Sequence, residues 1–98
     1  MDRIEKIYKN LAEFFHANGF REAIISGEKN YIKGNLYCVP ICLEKIGFLI
    51  DYAHSLEEAQ KNMHYDGAAV PLSETDEVIV AELKAEILAE MKEAGLSV

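Results

Sequence analysis

Tyr31-Ile32-Lys33-Gly34-Asn35-Leu36-Tyr37-Cys38-Val39-Pro40-Ile41-Cys42-Leu43 is the stretch whose reading decides the fold. It is rich in β-branched and aromatic residues, which suit a pleated, half-buried surface. Gly34-Asn35 can be a bulge inside one long strand, because a glycine within a strand often marks a bend. The same dipeptide can be a two-residue hairpin turn that splits the stretch in two. We read one bulged strand over residues 31–43. Pro40 cannot donate to a ladder, so it belongs on an edge or at a bulge. By strand alternation, Tyr37, Val39 and Ile41 share one face, and Leu36, Cys38 and Cys42 share the other. Both faces are apolar. Such strands are usually covered on both sides, by helices or by a second copy of the chain.

The elements on either side follow from periodicity and punctuation. Residues 20–26 read as a strand, and Gly27-Glu28-Lys29-Asn30 carries turn chemistry. Glu44-Lys45 turns the chain between two apolar runs, and residues 46–53 read as another strand. Upstream, Ile4, Ile7, Tyr8, Leu11, Phe14 and Phe15 recur at helical spacing over residues 3–17. Asn18-Gly19 stops that helix. Downstream, Ser55-Leu56-Glu57-Glu58 is a capping box that opens a short helix running to about His64 and ending near Asp66-Gly67. Pro71 stops any helix there. Ser73 caps a final helix, with Glu74, Asp76 and Glu77 in its first turn, where the helix dipole favours anions. Val80, Leu83, Ile87 and Met91 form its buried stripe, helped by Ile79 and Leu88, and Gly95 ends it. The expected fold is α+β in one small soluble domain over residues 1–98. Its order is α-β-β-β-α-α, an antiparallel three-stranded sheet packed by helices.

Charge separates the function classes. The formal net charge is -7 at pH 7. Residues 73–98 hold two lysines against seven acids, Glu74, Asp76, Glu77, Glu82, Glu86, Glu90 and Glu93. Such a field repels nucleic acid and anionic membranes and favours a basic partner. Residues 1–5 are a charged helix start without the apolar core of a signal peptide. No apolar run reaches the length of a membrane span. A cytoplasmic location is expected, and Cys38 and Cys42 fit it as reduced thiols.

The most informative local pattern is the acidic column Glu82, Glu86, Glu90 and Glu93. Its spacing of four, four and three residues puts these side chains on one helix face. Like charges at that spacing cost a helix roughly 0.2–0.5 kcal/mol per pair. Lys84 and Lys92 do not lie three or four residues from any acid of that helix. The column is a solvated face, a face neutralised by the first helix, or a contact face for a basic partner.

Other constellations are weaker. On a strand, Cys38 and Cys42 stand about 13 Å apart, too far for a disulfide. No second pair completes a zinc site, so buried structural thiols are expected. His54 and His64 flank the short helix near Asp51 and Asp66, and Cys42 precedes the strand that ends at His54. A Cys–His nucleophile is conceivable there, but no local motif carries it. His16 is explained by the dipole at the end of the first helix. Asp66-Gly67 lacks the alternating ligands of a calcium loop, and Gly27 and Gly34 do not form a phosphate loop. No cofactor is expected. The strand running into Ser55-Leu56-Glu57-Glu58-Ala59 resembles the strand-to-helix passage of HicB-type antitoxins. The match amounts to little more than a capping box. The long first helix and acidic last helix have no counterpart in that family, so the resemblance assigns nothing.

The functional expectation is a small acidic, non-enzymatic binding protein that masks a basic surface of a partner. Its type is that of an inhibitor: an immunity protein, an antitoxin or an anti-defence protein. Glu82, Glu86, Glu90 and Glu93 are the expected contact residues, and a nucleic-acid-processing enzyme is a partner of the right charge. The alternative is a homodimeric scaffold or adaptor, motivated by the doubly apolar strands. An enzyme using Cys42 or His54 is the third possibility.

Overall fold

The computed structural model describes residues 2–61 and 68–97. Helix α1 spans Arg3–Ala17 and is followed by strands β1 (Arg21–Ile25), β2 (Glu28–Lys33), β3 (Leu36–Leu43) and β4 (Gly47–Ala53). Helices α2 (Leu56–Gln60) and α3 (Asp76–Glu93) complete the described elements. The strands form one antiparallel sheet in the order β1-β2-β3-β4. The class is therefore α+β, as expected, but the sheet has four strands rather than three.

One turn accounts for the extra strand. Lys33 pairs with Leu36, so Gly34-Asn35 is the whole loop of a tight hairpin and not a bulge. Gly34 has φ +58°, the positive value that a type II′ turn demands at its first central residue. The preceding turn is also only two residues long. Ile25 pairs with Glu28, and Ser26 and Gly27 have φ 50° and 82°. Two successive positive φ values mark a type I′ turn, whose twist matches that of the flanking strands. Residues 28–30, read from sequence as turn, therefore begin β2.

Pro40 places the one irregularity of the sheet. The β2–β3 register runs Lys33↔Leu36, Ile32↔Tyr37 and Tyr31↔Cys38, and goes no further. The next β3 residue with its donor position toward β2 is Pro40, which has no N–H to give. The β3–β4 ladder is unaffected and continues to Leu43↔Gly47. Below Cys38 the two strands part around a cavity of about 290 Å³, bounded by Tyr8, Glu28, Lys29, Tyr31, Val39 and Pro40. The Cys42 amide, left without a strand partner on that side, donates to the Tyr8 hydroxyl at 3.1 Å.

One face of the sheet carries the main core. Phe20, Tyr31, Leu36, Cys38, Phe48, Ile50 and Tyr52 meet Ile7, Leu11 and Phe15 of α1 and Ile79, Leu83, Ile87 and Met91 of α3. Phe15 stacks on Tyr31 at 4.4 Å between ring centroids. The inward row of α3 is thus Ile79, Leu83, Ile87 and Met91, while Val80 and Leu88 are half-buried. Ile32, Leu49 and Ala53 are buried from the opposite face. There α2 packs on β4, with its own Ala59 buried and its Gln60 carbonyl accepting from the Ser26 hydroxyl. Tyr37, Val39 and Ile41 on that face are half-buried.

Of the two N-caps expected from the sequence, Ser55 holds and Ser73 does not. Asp2 caps α1, and Ser55 caps α2 by accepting from the Glu58 amide at 3.1 Å. The cap of α3 is Thr75, not Ser73: its hydroxyl accepts from the Val78 amide at 3.2 Å. Asp76 and Glu77 stand in the first turn of α3, and Glu74 lies before the helix. Arg3 ties α1 to the approach of α3. Its guanidinium donates to the Leu72 and Glu74 carbonyls and to the Asp76 carboxylate. The expected continuation of the short helix to His64 and its end near Asp66-Gly67 lie outside the described residues.

Candidate functional site

The acidic column of α3 is not uniformly exposed. Glu82 and Glu93 are exposed, while Glu86 and Glu90 are half-buried. The two central carboxylates occupy the flank of α3 that faces β4 and the approach to Val70. That segment is held by Val70, which exchanges two backbone hydrogen bonds with Phe48, at 2.9 and 2.7 Å. Gly47, with φ +124°, makes the close approach possible. A Cβ there would lie 2.2 Å from the Val70 carbonyl oxygen.

Each central carboxylate has identifiable neighbours. Glu86 accepts a hydrogen bond from the Ala68 backbone amide. Burial nevertheless raises its pKa. The Ala68 amide works against that rise, and Glu90 and Glu82 add to it. The Glu90 carboxylate lies 3.7 Å from His54 Nε2 at the end of β4, a contact that becomes an ion pair only when the imidazole is protonated. Glu86 has no lysine or arginine salt-bridge partner among the described residues.

Tyr52 lies beneath this flank. It points from β4 into the core face, is 2% exposed, and its hydroxyl has no hydrogen-bond partner among the described residues. A buried polar group left in this way costs roughly 1–3 kcal/mol. Its pKa is pushed far up, first by burial and then by Glu86, Cys38 and Glu90. Cys38 is its cross-strand neighbour, and burial followed by the Glu90 charge drives that thiol well above the ordinary range. Cys38 is thus a poor nucleophile, since the thiolate is the reactive form.

The remaining sequence candidates do not converge. Cys38 and Cys42 are free thiols, the first buried and the second half-buried. Burial, and after it Glu44, raises the Cys42 pKa, with Arg3 working against the rise. Cys42 and His54 stand at opposite ends of the β3–β4 hairpin, because Cys42 pairs with Phe48 and Tyr37 with Ala53. A Cys42–His54 dyad is excluded by this register. His64 lies outside the described residues. Among the described residues, no group of three His, Cys, Asp or Glu is arranged to hold a metal ion. No helix among them is long and apolar enough to cross a membrane. A groove of about 540 Å³ between α1 and α3 is lined by Lys6 and Lys84 together with Asp76 and Glu77, so its charge selects neither sign.

Sequence reasoning found the column but missed what lies under it. Tyr52 sits in an apolar strand and carries no local mark of its contact with α3. The Ala68 amide is equally silent in sequence. Comparison of the chain with protein-family models, with curated proteins and with solved structures finds no match in any of the three.

Proposed function

We propose that the protein is a small acidic, non-enzymatic binding protein that masks a basic surface on a partner protein, as inhibitors of the immunity, antitoxin or anti-defence type do. Glu82, Glu86, Glu90 and Glu93 form the contact face. The observation that carries this reading is a carboxylate column with no lysine in register on its own helix and with Glu86 raised by burial and by its acidic neighbours. Such a face is short of positive charge, and a basic surface supplies it. Complementary fields of this kind chiefly speed association and exclude wrong partners. A nucleic-acid-processing enzyme, whose own site is basic, is a partner of the expected kind.

The test uses the exposed ends of the column, where substitution leaves the core intact. The tagged protein is used to capture its partner from host lysate at low ionic strength, and the complex is weighed by native mass spectrometry. Association is then measured for the wild type and for Glu82→Lys/Glu93→Lys. The variant should associate at least tenfold more slowly at low salt, and the two rates should converge as salt rises. Equal rates at low salt would overturn the proposal.

A second reading has its own observation. Tyr37, Val39 and Ile41 leave the outer sheet face half-buried and apolar. A homodimeric scaffold would cover that face with a second copy. Sedimentation as a monomer at micromolar concentration removes this alternative.

A further inference from the structure

We propose that two copies of the chain join edge to edge through β1, as an antiparallel β1–β1 pair about a twofold axis at Ala23. This edge of the sheet is the one away from β4 and the acidic column, so the pairing stands independently of charge masking. The first observation is the backbone. β1 pairs with β2 on one side, and no strand lies on its other side among the described residues. The two-residue turn makes Ile25 and Glu28 a hydrogen-bonded pair, and by alternation Ala23 and Arg21 also bond to β2. Glu22 and Ile24 therefore turn their N–H and C=O groups to the open edge, where no other backbone hydrogen bond among the described residues takes them up. Two devices that protect such an edge are missing. β1 has no proline, and its residues pair with β2 in unbroken register, without a bulge. At the other edge of the sheet, Val70 covers β4 at Phe48. That cover disfavours head-to-tail stacking of sheets and leaves the β1 edge to meet its own copy.

The second observation is that the side chains fit a second copy in one register. Centred on Ala23, the pair sets Glu22 of each copy against Ile24 of the other, and each such pair exchanges both its backbone bonds. A centre at Glu22 would set the two Glu22 carboxylates directly opposite, which is destabilising. A centre at Ile24 brings the turn residue Ser26 opposite Glu22 and shortens the ladder. Charge favours the same register. Arg21 and Glu28 are exposed, share one face of the sheet, and have no salt bridge among the described residues. In the pair, Arg21 of each copy lies opposite Ile25 of the other, and Glu28 is the next residue across. The two are then two strand spacings apart, roughly 9–10 Å, which guanidinium and carboxylate side chains can span, and symmetry makes the bridge twice. Ile24, 67% exposed, is the most exposed large hydrophobic side chain among the described residues. In the pair it packs along the Glu22 methylenes of the other copy, with the two Ile24 side chains diagonal at roughly 7–8 Å.

The seam is short and the dimer weak, so the wild type is sedimented at concentrations up to about 1 mM. It should pass from monomer to dimer within that range. Ile24→Pro removes an edge N–H that β2 does not use, and should weaken the dimer about tenfold or more while its amide NMR spectrum shows the fold kept. Ile24→Lys leaves every backbone group in place and should also weaken the dimer. Arg21→Glu should weaken it about threefold or more, and adding Glu28→Arg should restore it. In hydrogen exchange, the Glu22 and Ile24 amides should gain protection as concentration rises, while Ala23 is protected throughout. A wild type still monomeric at about 1 mM would overturn the inference. So would a dimer that Ile24→Pro and Ile24→Lys leave intact, which would point instead to the apolar outer face of the sheet. A loss in Arg21→Glu that Glu28→Arg does not repair would overturn the twofold register and the pairing with it.

Discussion

Tyr52 and Glu86 carry opposite kinds of unrelieved burial. The Tyr52 hydroxyl is buried without a hydrogen-bond partner among the described residues, so deleting it removes a cost and none of their contacts. Tyr52→Phe should therefore stabilise the free protein by about 1 kcal/mol, read as a higher urea midpoint at unchanged slope. A lower midpoint would mean that the hydroxyl is satisfied in solution. For Glu86 the pKa is raised above the ordinary 4.5, chiefly by burial. A carboxyl with a raised folded pKa binds its proton more tightly when folded. Its stabilising contribution is full below the unfolded value and is lost as pH rises through the folded one. At neutral pH the ionised group is a burden. Glu86→Gln keeps an oxygen for the Ala68 amide and should be the more stable protein at pH 7, with the gap closing toward pH 4. A gap of constant size across that range would show that ionisation is not the cause.

Among the elements, the helices were the more legible. At roughly 100° per residue, the arc from Ile79 through Leu83 and Ile87 to Met91 contains Glu90, with Glu86 just outside it. Glu82 and Glu93 fall further round. The half-burial of the two central acids was therefore readable from spacing alone, once Ile79 rather than Val80 is taken as the first inward position. The hairpin at Gly34-Asn35 was less legible, because a bulge and a turn use the same residues. What separates them is which distant strand accepts the pairing, and no short stretch encodes that. The seam between β4 and the approach to α3 was not legible at all. It rests on a glycine whose neighbour in space is twenty-three positions away, Val70. Gly47→Ala places a Cβ 2.2 Å from that carbonyl and demands φ +124° of an alanine. It should cost roughly 2–3 kcal/mol and free the Phe48 and Val70 amides to hydrogen exchange. An unchanged thermal midpoint would contradict the close approach.

Over the whole molecule, ionisation of three tyrosines, Tyr31 and Tyr52 buried and Tyr8 partly exposed, sets an alkaline limit. Tyr8 and Tyr52 are raised above 10, and Tyr31 is pushed up to about 12, in each case first by burial. Unfolded tyrosine ionises near 10, so these groups favour the folded state below that value and pull toward unfolding above it. Stability should fall steeply between pH 10 and 12, and tyrosinate absorbance should rise with the loss of structure. Early, reversible ionisation of all tyrosines with the fold intact would refute this.

The core also has an order in time. Its sheet is a run of local hairpins, each closable as soon as its two strands exist. The face of that sheet is covered by α1, from before it, and α3, from after it, and Arg3 reaches across to Leu72, Glu74 and Asp76. During synthesis the meander leaves the ribosome before α3 does, at about 5–20 residues per second. For the seconds that separate them, Phe48, Ile50 and Tyr52 have α1 alone as cover. The last helix closes a surface that is already made, and a nascent chain stalled within it presents half a core to whatever chaperone or neighbouring chain is at hand.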